Sequence, residues 1–446
     1  MSRPTSLKRN PRSQIPKLGD FAAMFQASGL KEKLLFTGIA IALFRLGVQI
    51  PVWGVTPHAM GHLVRQGLAG FLDLFSGGAL SKLSVMALGI GPYITASIIL
   101  QLMTVAIPRL EEMQKEEGEI GRKKIAQFTR YLSVFLAVFQ GFFIARLMWP
   151  YLLPGVNVAF FTVSTVLSLT AGSMFALWLA ELITDRGIGN GGSILIFAGI
   201  LAGLPIYFSQ TYTLVSGDPG KSFMLLLLMG VFLALIALII VLQLAERRVP
   251  ISSAKRQVGN KIYGGQNTHI PFKINPAGVM PIIFAFAVIA FPSTLFQMTS
   301  PQPHTWLYDA KLFYETYLGY SGWFFALVMF TLVVFFTFFY ASIAPGMQPR
   351  DIAENLKKYG SSIPGVKPGR PTAEKLEEIL GRIIWVGAAA LAIITLVASA
   401  APKILGISTL AGLGATSLLI LVGVALDTLN QIRVHLMARQ YEGFLK

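Results

Sequence analysis

The chain has 446 residues, of which 54% are hydrophobic and 13% are charged, and its formal net charge is +16. Its mean hydropathy of +0.63 lies far above that of soluble domains and excludes an ordinary soluble protein. The chain contains no cysteine, which excludes disulfides, thiol catalysis and thiolate metal sites.

Apolar segments long enough to cross a bilayer recur along the whole chain. A membrane-spanning helix needs roughly 20 apolar residues. The alternating pattern of a membrane β-barrel is missing, so we predict an all-α polytopic membrane protein. The ten predicted spans are residues 34–50, 83–105, 131–149, 160–183, 191–208, 223–244, 277–298, 322–344, 383–401 and 407–429.

Basic residues sort to one side of these spans. With the N-terminus in the cytoplasm, 30 of the 37 Lys and Arg residues fall in cytoplasmic segments and 5 in the opposite loops. This bias predicts that both termini are cytoplasmic. Residues 1–33 carry seven Lys or Arg and no apolar run, so a removable signal peptide is not predicted.

The first span contains one basic residue far from its start, Arg45. A charge inside the bilayer is costly unless it reaches the interface or finds a partner. Arg45 therefore either snorkels outward or pairs inside the helix bundle, and in both cases we expect a structural role.

A short, glycine-broken segment, residues 68–77, precedes span two and is too short to cross the membrane. Its apolar surface consists of Phe71, Leu72, Leu74 and Phe75. The segment must lie on the membrane surface or re-enter the bundle, with Gly77 and Gly78 as a hinge. A movable stopper and a passive interfacial helix both fit this pattern.

Five spans lie on each side of the loop at residues 209–222, so any internal repeat must be inverted in the membrane. The second span of each half contains a Gly-x-x-Pro pattern, in "GIGPYI" (Gly89 to Ile94) and "GVMPII" (Gly278 to Ile283). Matching interruptions indicate a pathway between the halves, and two unrelated kinks are the alternative.

Three motifs imitate binding sites. "GIGNGG" (Gly187 to Gly192) lacks the strand and acidic residue of a dinucleotide site and is predicted to be a tight turn between helices. "VSGDPGKS" (Val215 to Ser222) lacks the first glycine of a phosphate loop. His58 and His62 in "HAMGH" have no evident third ligand, so chance spacing is favoured over a metal site. No catalytic constellation is evident.

Two cytoplasmic loops, residues 245–275 and 345–381, are longer than connectors need to be. The first is predicted to form a protruding hairpin, whose tip carries Lys255, Arg256 and Lys261. In the second, a helix around "RDIAENLKKYG" is followed by turns and a helix that Thr372 caps. These basic projections suit an acidic motor protein or ribosomal RNA, and a role in membrane orientation alone is the alternative.

Five stretches of the chain closely resemble the SecY/Sec61-alpha family, the channel-forming subunits of the protein translocase. The likeness extends from about Lys33 to Phe444, in order and with a matching number of spans. The stretches are "FSGGALSKLSVMALGIGPYITASIILQL", "EEGEIGRKKIAQFTRY", "ITDRGIGNGGSILIFAGI", "AKRQVGNKIYGGQNTHIPFKIN" and "DIAENLKKYGSSIPGVKPGRPT".

The resemblance implies ten helices in two inverted five-helix halves that form a clam-like, hourglass-shaped pore. It implies a cytoplasmic segment (1–33), an N-terminal half (34–208), an external hinge loop (209–222), a C-terminal half (223–429) and a cytoplasmic tail (430–446). The plug, at about residues 68–78, includes Phe71, Leu72, Leu74, Phe75, Ser76, Gly77 and Gly78.

The family closes its pore with a ring of apolar side chains. By resemblance the ring positions are Ile90, Ile94, Gly192, Ile196, Ile283 and Ile420. Gly192 departs from the family pattern, so either a neighbour fills the gap or the seal depends more on the plug. A lateral gate, which releases apolar segments into lipid, is implied at Thr95, Gln101, Asn275 and Phe291. An apolar constriction of this kind dewets and resists ions without any chemistry.

The same resemblance implies a passive channel for secretion and membrane insertion, not an enzyme, with no cofactor or metal. Energy would come from the SecA ATPase or a translating ribosome docked at Lys255, Arg256, Lys367 and Arg370. Lys367 stands where the family has arginine, and lysine keeps the charge but loses the planar fork. Further implied partners are SecE-like and SecG-like small subunits, signal-sequence-bearing polypeptides, SecDF, YidC and membrane lipids.

The implied location is the bacterial plasma membrane. The competing interpretation is a secondary transporter with inverted repeats, which predicts midplane charges that the spans lack. An intramembrane enzyme would need a nucleophile and base that are not evident.

Overall fold

The computed structural model describes most of the chain. It covers residues 30–56, 60–61, 73, 76–115, 118–218, 220–253, 256–258, 261–263, 267–299, 305–318, 323–343, 348–407, 410 and 415–443. Several residues singled out by the sequence lie outside this part: His58, His62, Phe71, Leu72, Leu74, Phe75 and Lys255.

A helix lies at each of the ten predicted spans. The helices of the first half are α1 (Leu30–Val48), α2 (Gly91–Ala106), α3 (Pro108–Lys115), α4 (Gly118–Leu147), α5 (Val158–Arg186) and α6 (Gly191–Ser216). Those of the second half are α7 (Gly220–Leu244), α8 (Met280–Thr299), α9 (Trp306–Tyr317), α10 (Trp323–Ile343), α11 (Pro349–Lys358), α12 (Arg370–Ile404) and α13 (Ala415–Gly443). A 3₁₀ turn (Trp149–Tyr151) follows α4.

Within the described residues, seven helices have the length and hydropathy to cross a membrane: α4, α5, α6, α7, α10, α12 and α13. Two more are apolar but shorter, α2 and residues Met280–Ile289 of α8. Helix α1 is apolar in its middle but carries Lys31, Glu32, Lys33 and Arg45. The protein is therefore a multi-pass membrane protein built almost wholly from helices.

The two Gly-x-x-Pro patterns mark helix starts and do not interrupt helices, which corrects the sequence-based interpretation. Span two, predicted from residue 83, is helical only from Gly91, and span seven only from Met280. In both, the glycine adopts a positive φ (+51° at Gly89, +61° at Gly278) and the helix begins two residues later. Proline then occupies the first turn, where its missing N–H costs nothing. The shared register agrees with the predicted inverted repeat.

The connection between the halves is shorter than the predicted loop at 209–222. Helix α6 continues to Ser216 and α7 begins at Gly220. Within this helical polar stretch the hydroxyls bond to the preceding turn: Thr211 Oγ1 donates to the Tyr207 carbonyl at 2.7 Å and Thr213 Oγ1 to the Gln210 carbonyl at 2.8 Å. At the other end of the second half, α13 extends to Gly443, so the predicted tail begins as helix.

The two long loops at residues 245–275 and 345–381 form one unit. The first loop contains β1 (Glu246–Ser253), β2 (Arg256–Val258), β3 (Lys261–Tyr263) and β4 (Asn267–Lys273), and the second contains β5 (Ser361–Ser362). Strand β1 pairs antiparallel with β4, and β2 pairs with β3, so the predicted hairpin is confirmed. Strand β1 also pairs with β5, with Ser252 opposite Ser362. We call the unit formed by β1 to β5, α11 and the start of α12 the platform.

The predicted cap of α12 is wrong. Gly369, with φ +103°, is the N-cap residue, and Thr372 lies inside the first turn. The Thr372 hydroxyl instead donates to the Lys367 carbonyl at 2.8 Å and is nearly fully buried. The platform has its own small core, in which Val249, Phe272, Ala353, Ile363 and Leu376 are buried together.

Candidate functional site

Five predicted pore residues meet in a single apolar cluster between the two halves. Ile90, Ile196 and Ile420 are buried in it, and Ile94 and Ile283 pack against it half-buried. They come from the start of α2 and from α6, α8 and α13, so residues far apart in sequence converge. We call these five isoleucines the waist cluster.

Ile90 is positioned by a close contact between α5 and the segment before α2. The Ser173 hydroxyl donates to the Gly89 carbonyl at 2.9 Å, with both groups buried. At Gly172, a Cβ atom would lie only 1.9 Å from the Val85 carbonyl oxygen, so the two backbones touch there. The missing side chain of Gly172 therefore allows α5 to approach the segment that leads to Ile90.

Ile196 is positioned by the turn that precedes α6. The Asn190 side chain caps α6 by accepting from the Ser193 N–H at 3.1 Å. The Ile188 N–H donates to Thr37 Oγ1 of α1 at 3.1 Å. The Gly189 N–H donates to Gln431 Oε1 of α13 at 2.8 Å. The "GIGNGG" motif is thus a helix-to-helix turn, as predicted, and it also ties α1 and α13 together.

Gly192 lies one helical turn before Ile196. A Cβ atom at Gly192 would have a single neighbour within 4 Å, the Asn190 Oδ1 atom at 3.3 Å. No apolar side chain of the described residues therefore replaces the missing ring member next to its Cα. A seal that depends more on the plug stays a prediction.

The described part of the plug is its C-terminal end. The Ser81 N–H donates to Asp73 Oδ1 at 2.8 Å, and the Gly78 N–H donates to the Asp73 carbonyl at 2.9 Å. Ser76 Oγ also donates to that carbonyl at 3.0 Å and accepts from the Leu80 N–H at 3.2 Å. These bonds close a compact turn between Asp73 and Ser81, which includes the C-terminal end of the predicted plug.

Apolar side chains of both halves are buried together at the seam on the side of α2 and α8. Ile98 of α2 is buried in the same apolar cluster as Ile282, Phe286 and Ile289 of α8. Burial of these side chains in one cluster stabilises the association of the two halves.

The polar residues at the predicted lateral gate form local hydrogen bonds. Thr95 Oγ1 donates to the Gly91 carbonyl at 3.1 Å, and Gln101 Nε2 donates to Ser97 Oγ at 3.3 Å. Asn275, 4% exposed, donates from Nδ2 to the Gly278 carbonyl at 2.9 Å, and its Oδ1 atom is buried without a partner in the described part of the chain. Among described residues these side chains do not bond across the seam. The Phe291 side chain lies outside the described part.

A cavity of about 480 Å³, lined mostly by polar residues, adjoins the waist cluster. Val424 lines this cavity and belongs to the same apolar cluster as Ile420. The other lining residues are Val434 and the polar residues Asn190, Ser193, Lys273, Asp427, Thr428, Asn430, Gln431 and His435. The waist cluster is therefore bordered on one side by polar groups.

A family model described as SecY matches residues 84–429 of the chain. This match covers most of the protein and includes every helix of the waist cluster. The chain belongs to the SecY family. Across its length it is 46% identical to the protein translocase subunit SecY of Synechococcus elongatus, over 96% of this chain and 97% of the relative.

Solved structures of SecY and Sec61 share the fold of this SecY-family chain. One, reported as showing that the plug domain of SecY stabilises the closed translocation channel and maintains a membrane seal, is similar with TM-score 0.63 and 19% identity, covering 90% of this chain and 92% of that chain. Sec61 in the canine ribosome-channel complex is similar with TM-score 0.60 and 18% identity, over the same shares. The clam-like, all-α channel architecture is therefore confirmed.

Three of the four predicted docking residues of this SecY-family chain, Arg256, Lys367 and Arg370, lie in the platform. Lys367 is exposed on the turn between β5 and α12. Arg370, 91% exposed, forms an ion pair with Glu374 at 3.2 Å. Arg256 lies in β2, opposite Tyr263, and its side chain is outside the described part. Further along α12, a hydrogen bond from Lys375 and the charge of Arg382 lower the pKa of Glu378.

Two features of the site escaped the sequence-based reasoning. The joining of both loops through Ser252 and Ser362 depends on a two-residue strand, which carries no pattern of its own. The hydrogen bond from Arg45 Nη1 to the Gly77 carbonyl, 2.8 Å long, resolves the two alternatives for Arg45 in favour of pairing inside the bundle. The sequence signal for this pairing was the presence of a charged residue inside an apolar span.

Proposed function

We propose that this chain is the pore subunit of a protein translocase, through which unfolded polypeptides cross the membrane at the waist cluster. The observation that carries the proposal is the convergence of five isoleucines between a polar cavity and the plug segment. The fold shared with SecY and Sec61 channels supports it, and the secondary-transporter alternative has no such support.

The waist cluster suits a passive channel. A narrow apolar ring expels water and so resists ions, while isoleucine side chains can part by rotamer changes around an extended polypeptide. The channel performs no bond chemistry of its own, so the energy for movement comes from a partner. Because Gly192 contributes no side chain, the plug carries a larger share of the seal here.

Passengers that are sufficiently apolar leave sideways between α2 and α8. Thr95, Gln101 and Asn275 give this seam polar groups whose bonds are local, so parting the helices there breaks apolar packing and few hydrogen bonds. Phe291 completes the proposed gate. The proposed setting is the bacterial plasma membrane, with both termini in the cytoplasm and SecE-like and SecG-like subunits beside the helices.

Crosslinking of a stalled export substrate tests the pore assignment. A photoreactive residue at position 283, in the waist cluster, is expected to crosslink the passenger. The same residue at Leu233, which is 68% exposed on α7, faces away from the pore and is expected to label lipid or small subunits. Passenger crosslinks from position 233 and not from position 283 would reject the pore.

The platform is the proposed docking surface for a SecA-type ATPase or a ribosome. Lys367→Glu is expected to slow motor-driven export roughly tenfold, equivalent to about 1.4 kcal/mol, because reversing an exposed charge disrupts complementarity with an acidic partner. Amounts of channel in the membrane should not change. Export into vesicles, normalised to channel content, measures the effect.

Lys123→Glu is the matched control for this experiment. It makes the same charge change on another cytoplasmic element, at a side chain that is 74% exposed on α4. Equal losses in both variants would mean that the basic residues serve general membrane orientation and not docking at the platform.

A further inference from the structure

Arg45 points into the protein, toward the end of the plug. Its Nη1 atom donates to the Gly77 carbonyl at 2.8 Å, and within the described residues this is its sole hydrogen bond. Its neighbours in α1, Phe44, Gly47 and Val48, are buried. A guanidinium in such surroundings requires an acceptor, and a backbone carbonyl supplies one without adding a second charge.

Gly77 lies at a contact of three elements. A Cβ atom there would be 2.4 Å from Arg45 Nη1 and 2.9 Å from the Gly199 Cα atom of α6. Gly77 also has a positive φ of +69°. Its neighbour Gly78 has a positive φ of +84°, but a Cβ atom there would have no neighbour within 4 Å. A side chain at either glycine would strain the backbone, but only a side chain at Gly77 would also clash with neighbouring atoms.

The segment that follows Gly78 is held by other contacts. The Val52 N–H donates to the Leu83 carbonyl and the Val85 N–H to the Ile50 carbonyl, each at 2.9 Å. Ser173 holds Gly89. These bonds fix the base of the segment independently of Arg45, so Arg45 acts at the boundary between this fixed base and the plug.

We propose that Arg45 is a positioning residue that latches the plug in the closed channel through the Gly77 carbonyl. The inference rests on the proposed plug function. Moving the plug out of the pore at Gly77 requires this charge-assisted hydrogen bond to break, so Arg45 sets the fraction of channels that are closed at rest. Because Gly192 contributes no side chain to the ring, the seal depends more on the plug, and therefore on the latch that holds it.

The test uses the full chain with its small partner subunits in vesicles. Since the chain has no cysteine, Ser76→Cys provides a single thiol at a position that is 4% exposed. Arg45→Met, which keeps the length and removes the donors, is expected to speed labelling of that thiol by a membrane-impermeant maleimide about tenfold, as expected for loss of a hydrogen bond to a charged group. Resting ion conductance should rise in parallel.

Gly77→Ala is expected to have a similar effect, because its Cβ atom displaces Arg45. Gly78→Ala is the matched variant, and the difference between the two alanine variants measures the close contacts of Gly77 with Arg45 and Gly199. Combining Arg45→Met with Gly77→Ala should add little, since both remove the same bond. If Arg45→Met does not fold, the two alanine variants still decide the question.

Two results would overturn the latch. One is equal labelling of the Gly77→Ala and Gly78→Ala channels, and the other is unchanged labelling in a folded Arg45→Met channel. Deletion of residues 68–76 separates this inference from the proposed function. If the deletion leaves resting conductance at the parent level, both the plug and the latch are refuted. If the deletion raises conductance but Arg45→Met changes neither conductance nor labelling, the latch alone is refuted.

Discussion

Ile283→Asp is expected to make the resting channel conduct ions, with conductance on the order of tenfold or more above the parent. Ile283 is half-buried on α8 against the waist cluster, so a carboxylate there can draw water into the constriction. An apolar ring holds back ions by staying dry, and one charge in a narrow ring removes that property. Conductance of reconstituted vesicles measures the effect.

The choice of position and control makes this result specific. Ile420 is 1% exposed, and a charge there would destabilise the fold as well as the seal. Ile283→Leu keeps the volume and apolar character, and such exchanges cost little. Equal conductance in the Asp and Leu variants would contradict the assignment of these isoleucines to a seal.

Gly172→Ala is expected to destabilise the protein strongly and to displace Ile90. The added Cβ atom would lie 1.9 Å from the Val85 carbonyl oxygen and 2.7 Å from its carbon, and backbone atoms cannot rotate away as a side chain can. Overpacking of this kind costs about 1–3 kcal/mol and occasionally more. A lowered midpoint of thermal unfolding in detergent, together with raised resting conductance, is the expected observation.

Gly230→Ala, in the middle of α7, provides the comparison. A Cβ atom at Gly230 would have no neighbour within 4 Å, so the substitution should stabilise the helix by about 0.5–1 kcal/mol. Both changes replace a helical glycine by alanine in a long apolar helix, and they differ in the contact. Similar unfolding midpoints for the two variants would show that α5 and the Val85 segment do not touch as described.

The sequence was sufficient to predict features that are local or carried by a strong pattern. Long apolar windows located the spans, and β-favouring runs between turns located the hairpin of the first loop. The family motifs identified isoleucines on four different helices, and five of these side chains do meet. Burial of an apolar side chain needs no particular partner, so such predictions tolerate small errors in geometry.

Features that depend on the exact course of the backbone were missed. The Gly-x-x-Pro patterns read equally well as a kink or a helix start, and only the positive φ at Gly89 and Gly278 decides. Thr372 lies in the first turn of α12 and bonds to Lys367, because Gly369 already begins the helix. The partner of Arg45 lies 32 residues away along the chain, beyond the reach of any local pattern.

Helix α12 contributes to both the platform core and the core of the second half. Leu376, Leu380 and Ile383 are buried in the platform, while Leu391, Ile394 and Ala398 are buried in the core of the second half. Its 35 residues form one continuous rod about 50 Å long. A displacement of the platform is therefore transmitted along this one helix to its packing against α7, α10 and α13.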